Sequence, residues 1–235
     1  DTQFGRVLAA LDRLGIANET LVIFTTDHGI AMPRAKCSLY EPGVTIAFIL
    51  RYPGRTGWHG GHVRREMISN IDVLPSLGEL VGFALPPSVQ GRSFAPLLDG
   101  RAYRGNDAIF TEMTYHDYYD PRRAIRTETH KLIANFTTAP AFMDPSQQWR
   151  PRSDTVTPPN HAVAYHPYLE LYDLAADPWE QNDLANDPTR AQVRLELAGR
   201  LLRHMTATRD PILRGAVTPP HHRQVLEELR RSARD

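Results

Sequence analysis

The chain has 235 residues, 41% of them hydrophobic, and its 27 Lys+Arg are balanced by 27 Asp+Glu. That apolar content can bury a sizeable core and excludes a disordered chain. The charge balance excludes a bulk field that would draw the protein to nucleic acid or to a membrane surface. A single cysteine, Cys37, rules out an internal disulfide and leaves the compartment open between a cytoplasmic and an extracytoplasmic one. The only lysines are Lys36 and Lys131; such a bias toward arginine reads as GC-rich coding and points to a bacterial source.

Phe4, Val7, Leu8, Leu11 and Leu14 fall at helical spacing, and Gly15 stands where a helix ends in the left-handed conformation. A chain that opens inside a helix is expected to be part of a longer one. Leu21–Phe24 with Thr25-Thr26 predicts a strand buried on both faces, the kind found in parallel sheets covered by helices. It stops at Asp27-His28-Gly29. Ligands of open α/β sheets bind beyond the carboxyl ends of strands. A hard carboxylate donor and a nitrogen donor stand there, and the glycine permits a sharp exit. Residues 30–38 read as a loop broken by Pro33 and carrying Arg34 and Lys36. Leu39-Tyr40-Glu41-Pro42-Gly43 follows, then a second buried strand, Val44–Leu50, terminated by Pro53-Gly54.

Arg55–Arg65 is a glycine-rich loop. His59 and His62 lack the helical periodicity of a metal pair there and read as loop polar groups. Asp72 predicts the N-cap of a helix to Val81, with Leu74, Leu77, Leu80 and Val81 inward and Gly82 closing it. From Asn106 the pattern changes to short runs: Ala108–Met113, Arg122–Glu128, His130–Phe136 and Leu169–Leu174. With a tight reversal at Glu128-Thr129, these predict an antiparallel sheet. An irregular insertion rich in proline separates the last two. Asp187-Pro188 starts a helix in which Val193, Leu197, Leu201 and Met205 recur every fourth residue. His221-His222 and the basic stretch to Arg234 read as a solvated terminal helix.

The order Asp27-His28-Gly29, Lys36 and Leu39–Gly43 resembles the sulfatases of the alkaline-phosphatase superfamily. So do Gly91-Arg92-Ser93-Phe94-Ala95-Pro96-Leu97-Leu98 and Leu169–Leu174 ahead of Asp177-Pro178-Trp179-Glu180. The N-sulfoglucosamine sulfohydrolase (heparan N-sulfatase) branch is the most similar. That branch carries Asn at the position of His28 and Arg at that of Lys36, departures that fit other sulfatases equally well. The resemblance runs from Asp1 to about Thr208 and implies an α/β, alkaline-phosphatase-like sulfatase fold. Residues 1–105 would be the C-terminal part of the catalytic α/β domain, with parallel-sheet strands and helices. Residues 106–210 would be a small α+β subdomain, an antiparallel sheet packed on a helix, and 211–235 a tail.

The resemblance also implies a chemistry. Asp27 and His28 would be ligands of a divalent metal, Ca2+, shared with carboxylates outside this stretch, and Lys36 would be the catalytic cation contacting the sulfate. The loop Tyr115–Arg123 resembles the family's substrate-facing stretch, so His116, Asp117 and Arg123 are expected to meet a sulfated carbohydrate. The family's nucleophile is a formylglycine made from the cysteine of Cys-x-Pro-x-Arg. Cys37, followed by Ser38-Leu39-Tyr40, does not fit that motif, so the nucleophile is expected in an N-terminal half and this stretch alone is expected to be inactive. The implied reaction is hydrolysis of sulfate esters or N-sulfate groups of sulfated glucosamine and glycosaminoglycans, with no nucleic-acid or membrane partner. The alternatives are a phosphonate or phosphodiester hydrolase of the same superfamily, and a non-catalytic domain that binds carbohydrate or a partner chain.

Overall fold

The computed structural model describes residues 1–32, 34–58, 60–116, 119–138 and 165–232. His59, Asp117 and the proline-rich insertion from 139 to 164 lie outside the described residues. The first helix, α1 (Thr2–Arg13), ends before Gly15, whose φ of +70° is the left-handed stop its position predicts. Phe4 meets Phe24 of β1 (Val22–Thr25), ring centroids 5.3 Å apart, whereas Val7 and Leu14 stay exposed.

β1 pairs with β2 (Phe48–Arg51) in antiparallel register, Val22 opposite Arg51 and Thr25 opposite Phe48. The expectation of parallel strands is corrected at this pair. A parallel neighbour needs a crossover of a dozen or more residues, usually a helix. Among its described residues the connection here has one helix, α2 (Glu41–Val44), a single turn with proline in its first turn and too short to carry the chain back along the strand. The chain leaves and returns at the same end of the pair. α2 also moves the start of the second strand from Val44 to Phe48. With one partner strand among the described residues, β1 is half-buried to exposed rather than buried on both faces.

α3 (Val73–Val81) is entered through a capping box between Ser69 and Asp72 and closed by Gly82 at φ +85°. Its buried face is Pro75, Ser76, Gly78 and Leu80; of the expected stripe Leu80 is inward, while Leu74 and Val81 are exposed. Small residues win that face because the returning chain passes close. Ser76 Oγ accepts from Phe94 N at 2.9 Å, and a Cβ on Gly78 would lie 3.1 Å from Phe83 O. α4 (Ala95–Leu98) packs back on α3.

The second half is a four-stranded antiparallel sheet: β3 (Ile109–Tyr115), β4 (Tyr119–Arg126), β5 (His130–Asn135) and β6 (Leu169–Asp173), in that order. Side chains alternate between its two faces. Ile125, Leu132 and Leu171, aligned across three strands, pack on Leu197, Leu201 and Met205 of α5 (Ala191–Ala207). The opposite face presents Ala124, Ile133 and Tyr172 to Leu39 and Tyr40, and so joins the sheet to the first half of the chain. The last helix, α6 (His222–Ser232), buries none of its residues. Among the described residues, no helix is long and apolar enough to cross a membrane.

Candidate active site

The chain leaves β1 through Asp27-His28-Gly29. His28 Nδ1 lies 2.7 Å from Gly29 O. A proton on Nδ1, donated to that carbonyl, leaves Nε2 as the lone-pair nitrogen, the tautomer a metal ligand needs. Nε2 is 3.5 Å from Asp27 Oδ2, and the Asp27 carboxylate is 86% exposed. Two donors at that separation can both reach one ion at coordination lengths of roughly 2.0–2.6 Å. The pair therefore fits a divalent cation as part of its shell. Among the described residues no cluster of three His, Cys, Asp or Glu that could hold a metal ion forms.

Gly29 explains how the turn is held. A Cβ there would fall 1.7 Å from Pro42 O, and Gly29 N donates to Gly43 O at 2.9 Å. Gly43 in turn has no room, because its Cβ would meet Ala35 O at 2.2 Å and Ser38 O at 2.8 Å. Three backbone segments are thus stacked without side chains between them: the Asp27–Gly29 turn, Pro42-Gly43, and residues 35–38 that carry Lys36. Lys36 N donates to Ile30 O at 3.1 Å, which closes the loop two residues beyond His28. Arg34 and Cys37, on either side of Lys36, both adopt left-handed φ, +59° and +64°. Non-glycine residues take that conformation at a cost, and such strain collects at functional sites.

Behind this stack lies a polar cluster that sequence reasoning missed. Lys131 is fully buried in β5, and its Nζ reaches Glu41 Oε1 at 2.7 Å, Glu180 Oε1 at 2.8 Å and Leu39 O at 3.0 Å. Burial works to raise the Glu41 carboxyl, but Lys131 and Arg126 outweigh it and hold the group below the ordinary range. Glu180 goes the other way, pushed up by burial. Beside them Glu170 accepts from Tyr40 at 2.7 Å, Tyr172 at 2.5 Å and Asn135 at 2.7 Å, and has His166 at 3.3 Å. One signal was available. In a strand alternating between faces, Lys131 shares parity with Ile133, and a lysine at a buried strand position needs an acid partner.

The expected site residues do not all come together. Asp27 and His28 are in contact, and the backbone of Lys36 closes on Ile30, two residues beyond His28. His116 is exposed at the end of β3, on a separate loop flanked by Tyr115 and Tyr119, which are anchored instead to the main chain of Val217. Asp117 lies outside the described residues. Arg123 is corrected outright. It is 3% exposed, and its guanidinium is taken by Asp210, Met113 O and Thr114 Oγ1. The reason is parity: Arg123 shares a face with Ile125 and points to the α5 side, while Arg122 shares the face of Ala124.

Residues 32–148 match the family described as N-sulphoglucosamine sulphohydrolase, C-terminal. The chain is 28% identical to an ulvan-active sulfatase of Formosa agariphila, over 89% of this chain and 42% of that protein. It is 29% identical to the human N-sulphoglucosamine sulphohydrolase, over 90% and 46% respectively. Among solved structures, a 2-O GAG sulfatase superposes with a TM-score of 0.69 at 23% identity, covering 94% of this chain and 43% of that one. The phosphonate monoester hydrolase of Agrobacterium radiobacter superposes at 0.64 with 26% identity, covering 86% and 38%. The chain spans less than half the length of these proteins.

Proposed function

This chain belongs to the sulfatase family as a C-terminal part of its alkaline-phosphatase-like fold, and we propose that it supplies one wall of a sulfatase active site within a longer polypeptide. Sulfatases are sulfuric ester hydrolases that typically work with a divalent metal. In our reading Asp27 and His28 hold one side of that ion, Ca2+, with the remaining oxygens coming from an N-terminal half that also carries the formylglycine. Bound there, the ion would supply positive charge beside the sulfuryl oxygens. Lys36 supplies a second, fixed positive charge from the neighbouring loop, where an ammonium gains strength as the site excludes water. The substrate class is a sulfated carbohydrate, with glucosamine N- or O-sulfate favoured by the likeness to the N-sulphoglucosamine family.

The observation that supports this reading is the glycine-locked stack, which packs the backbone of the Asp27–Gly29 turn, of Pro42-Gly43 and of residues 35–38 together. In the complete polypeptide, Asp27→Ala is expected to abolish metal retention, read by elemental analysis, together with turnover of an N-sulfated glucosamine and an aryl sulfate. Retained metal with wild-type turnover would refute the assignment. A phosphonate monoester run in the same assay separates the second reading, which the superposition on the phosphonate monoester hydrolase supports at the level of fold. Preference for the phosphonate over both sulfates would favour it.

A further inference from the structure

Glu180 stands after β6 in the turn Asp177-Pro178-Trp179-Glu180, 1% exposed and with a left-handed φ of +55°. Its polar groups reach into the first half of the chain. The carboxylate accepts from Glu41 N at 2.6 Å and lies 2.8 Å from Lys131 Nζ. The main-chain oxygen accepts from Arg34 Nη2 at 2.6 Å. Glu41 opens α2, whose Pro42-Gly43 backs directly onto Gly29 of the Asp27-His28 turn. Arg34 precedes Lys36 by two residues and lays its guanidinium over the Tyr40 ring at 4.1 Å. Both arms of the site are therefore tied to one residue that follows them by more than 130 positions.

We propose that Glu180 is a positioning residue of the sulfatase site, its carboxylate fixing the metal-binding turn through α2 and its carbonyl fixing the Lys36 loop through Arg34. The inference rests on the proposed function of that site. Charge balance accounts for two acids, since Glu41 is shared between Lys131 at 2.7 Å and Arg126 at 3.4 Å. It does not account for Glu180 also holding Arg34 through its carbonyl. A second buried carboxylate adds a desolvation cost, and the left-handed backbone adds strain at the same residue. What the pair of costs secures is a common anchor for the two loops, added to the backbone stack that already joins them.

The test uses the complete polypeptide that carries this chain, as wild type and as Glu180→Ala, Glu180→Gln and Arg34→Ala. Ca2+ affinity is measured by calorimetry, kcat and KM on an aryl sulfate, and folding by circular dichroism and melting. Glu180→Ala is expected to weaken Ca2+ binding and to lower kcat, each by about tenfold or more. Glu180→Gln keeps an acceptor for Glu41 N–H and is expected to recover most of the affinity. Arg34→Ala is expected to lower kcat while leaving Ca2+ affinity unchanged, since it releases only the Lys36 arm. A folded Glu180→Ala protein with a lower melting temperature but wild-type affinity and kcat overturns the inference. Should that variant not fold, an Arg34→Ala protein with wild-type kcat overturns it equally. Wild type that binds no Ca2+ and cleaves no sulfate ester overturns the proposed function, and this inference with it, whereas active wild type with insensitive variants overturns the inference alone.

Discussion

Gly29 has no room for a side chain, and the atoms that would be struck, Pro42 O at 1.7 Å and Pro42 C at 2.7 Å, are backbone and cannot swing away. Gly29→Ala is therefore expected to destabilise by about 3 kcal/mol or more, at the top of the range for overpacking, measured by chemical denaturation. Gly5, inside α1 with nothing within 4 Å of its Cβ position, is the contrast. Gly5→Ala is expected to stabilise by up to about 1 kcal/mol. Equal effects of the two would show that the glycine stack is not rigid. At Lys36 the expected effect is on chemistry instead of folding. In the complete polypeptide, Lys36→Ala should lose about 10²–10³ in turnover, with melting nearly unchanged and Lys36→Arg restoring part. Near wild-type turnover in Lys36→Ala would remove this loop from the sulfate site.

At the scale of elements, the four-stranded sheet and α5 are joined by two kinds of contact. Leu197, Leu201 and Met205 recur every fourth residue and form one buried stripe on Ile125, Leu132 and Leu171. At the end of that stripe Arg123 of β4 and Asp210, just beyond α5, are 3% and 6% exposed and joined by two hydrogen bonds. The hydrogen bond from Arg123 holds the Asp210 carboxyl below the ordinary range against the opposing effect of burial. Asp210 also accepts from Ile212 N and so starts the short turn Pro211–Arg214. Asp210→Ala would leave the buried guanidinium only the exposed Glu112, 3.4 Å away, as counter-charge, at an expected cost of about 3 kcal/mol, read from urea melts. Leu201→Ala, which opens a cavity with no charge involved, is expected to cost about 2–5 kcal/mol. A neutral Asp210→Ala would mean the pair contributes nothing beyond its neighbours.

For the whole molecule, the buried polar face between the halves sets the response to acid. Burial opposes ionisation of Glu170, but hydrogen bonds from His166, Tyr172, Tyr40 and Asn135 prevail and bring its carboxyl from the ordinary 4.5 down to about 2. The group's folded value is depressed, so its contribution is complete above pH 4.5 and is lost as pH falls toward 2. The shift corresponds to about 3 kcal/mol. Glu180, raised by burial, acts in the opposite sense and in the window above 4.5, where stability falls as the pH rises through its folded value. Melting temperature followed from pH 7 to pH 2 is expected to drop below 4.5 in the wild type. Glu170→Gln should flatten that drop while lowering the neutral-pH value. An unchanged acid profile in Glu170→Gln would place the acid sensitivity elsewhere.

Local signals in the chain settled a good deal at this scale. Gly15 and Gly82 stop helices at the residues where left-handed backbone is needed. Alternation located all four strands of the second sheet to within a few residues, and the four-residue repeat located α5. Asp27-His28-Gly29 and Lys36 stood out because a strand-end acid, an imidazole and a scarce lysine are chemically conspicuous. Other features belong to tertiary structure. An apolar run reads the same whether its strand is parallel or antiparallel, so the direction of β2 depended on what joins it to β1. Arg122 and Arg123 are adjacent and chemically equal, and only the register of β4 against β5 decided which one faces α5. The parity of Lys131 calls for an acid without saying which one, and Glu41 and Glu180 look like ordinary charges until the sheet's second face closes over them. Their partners lie tens of residues or more away in sequence, and no local pattern encodes a contact that exists only once both halves have folded.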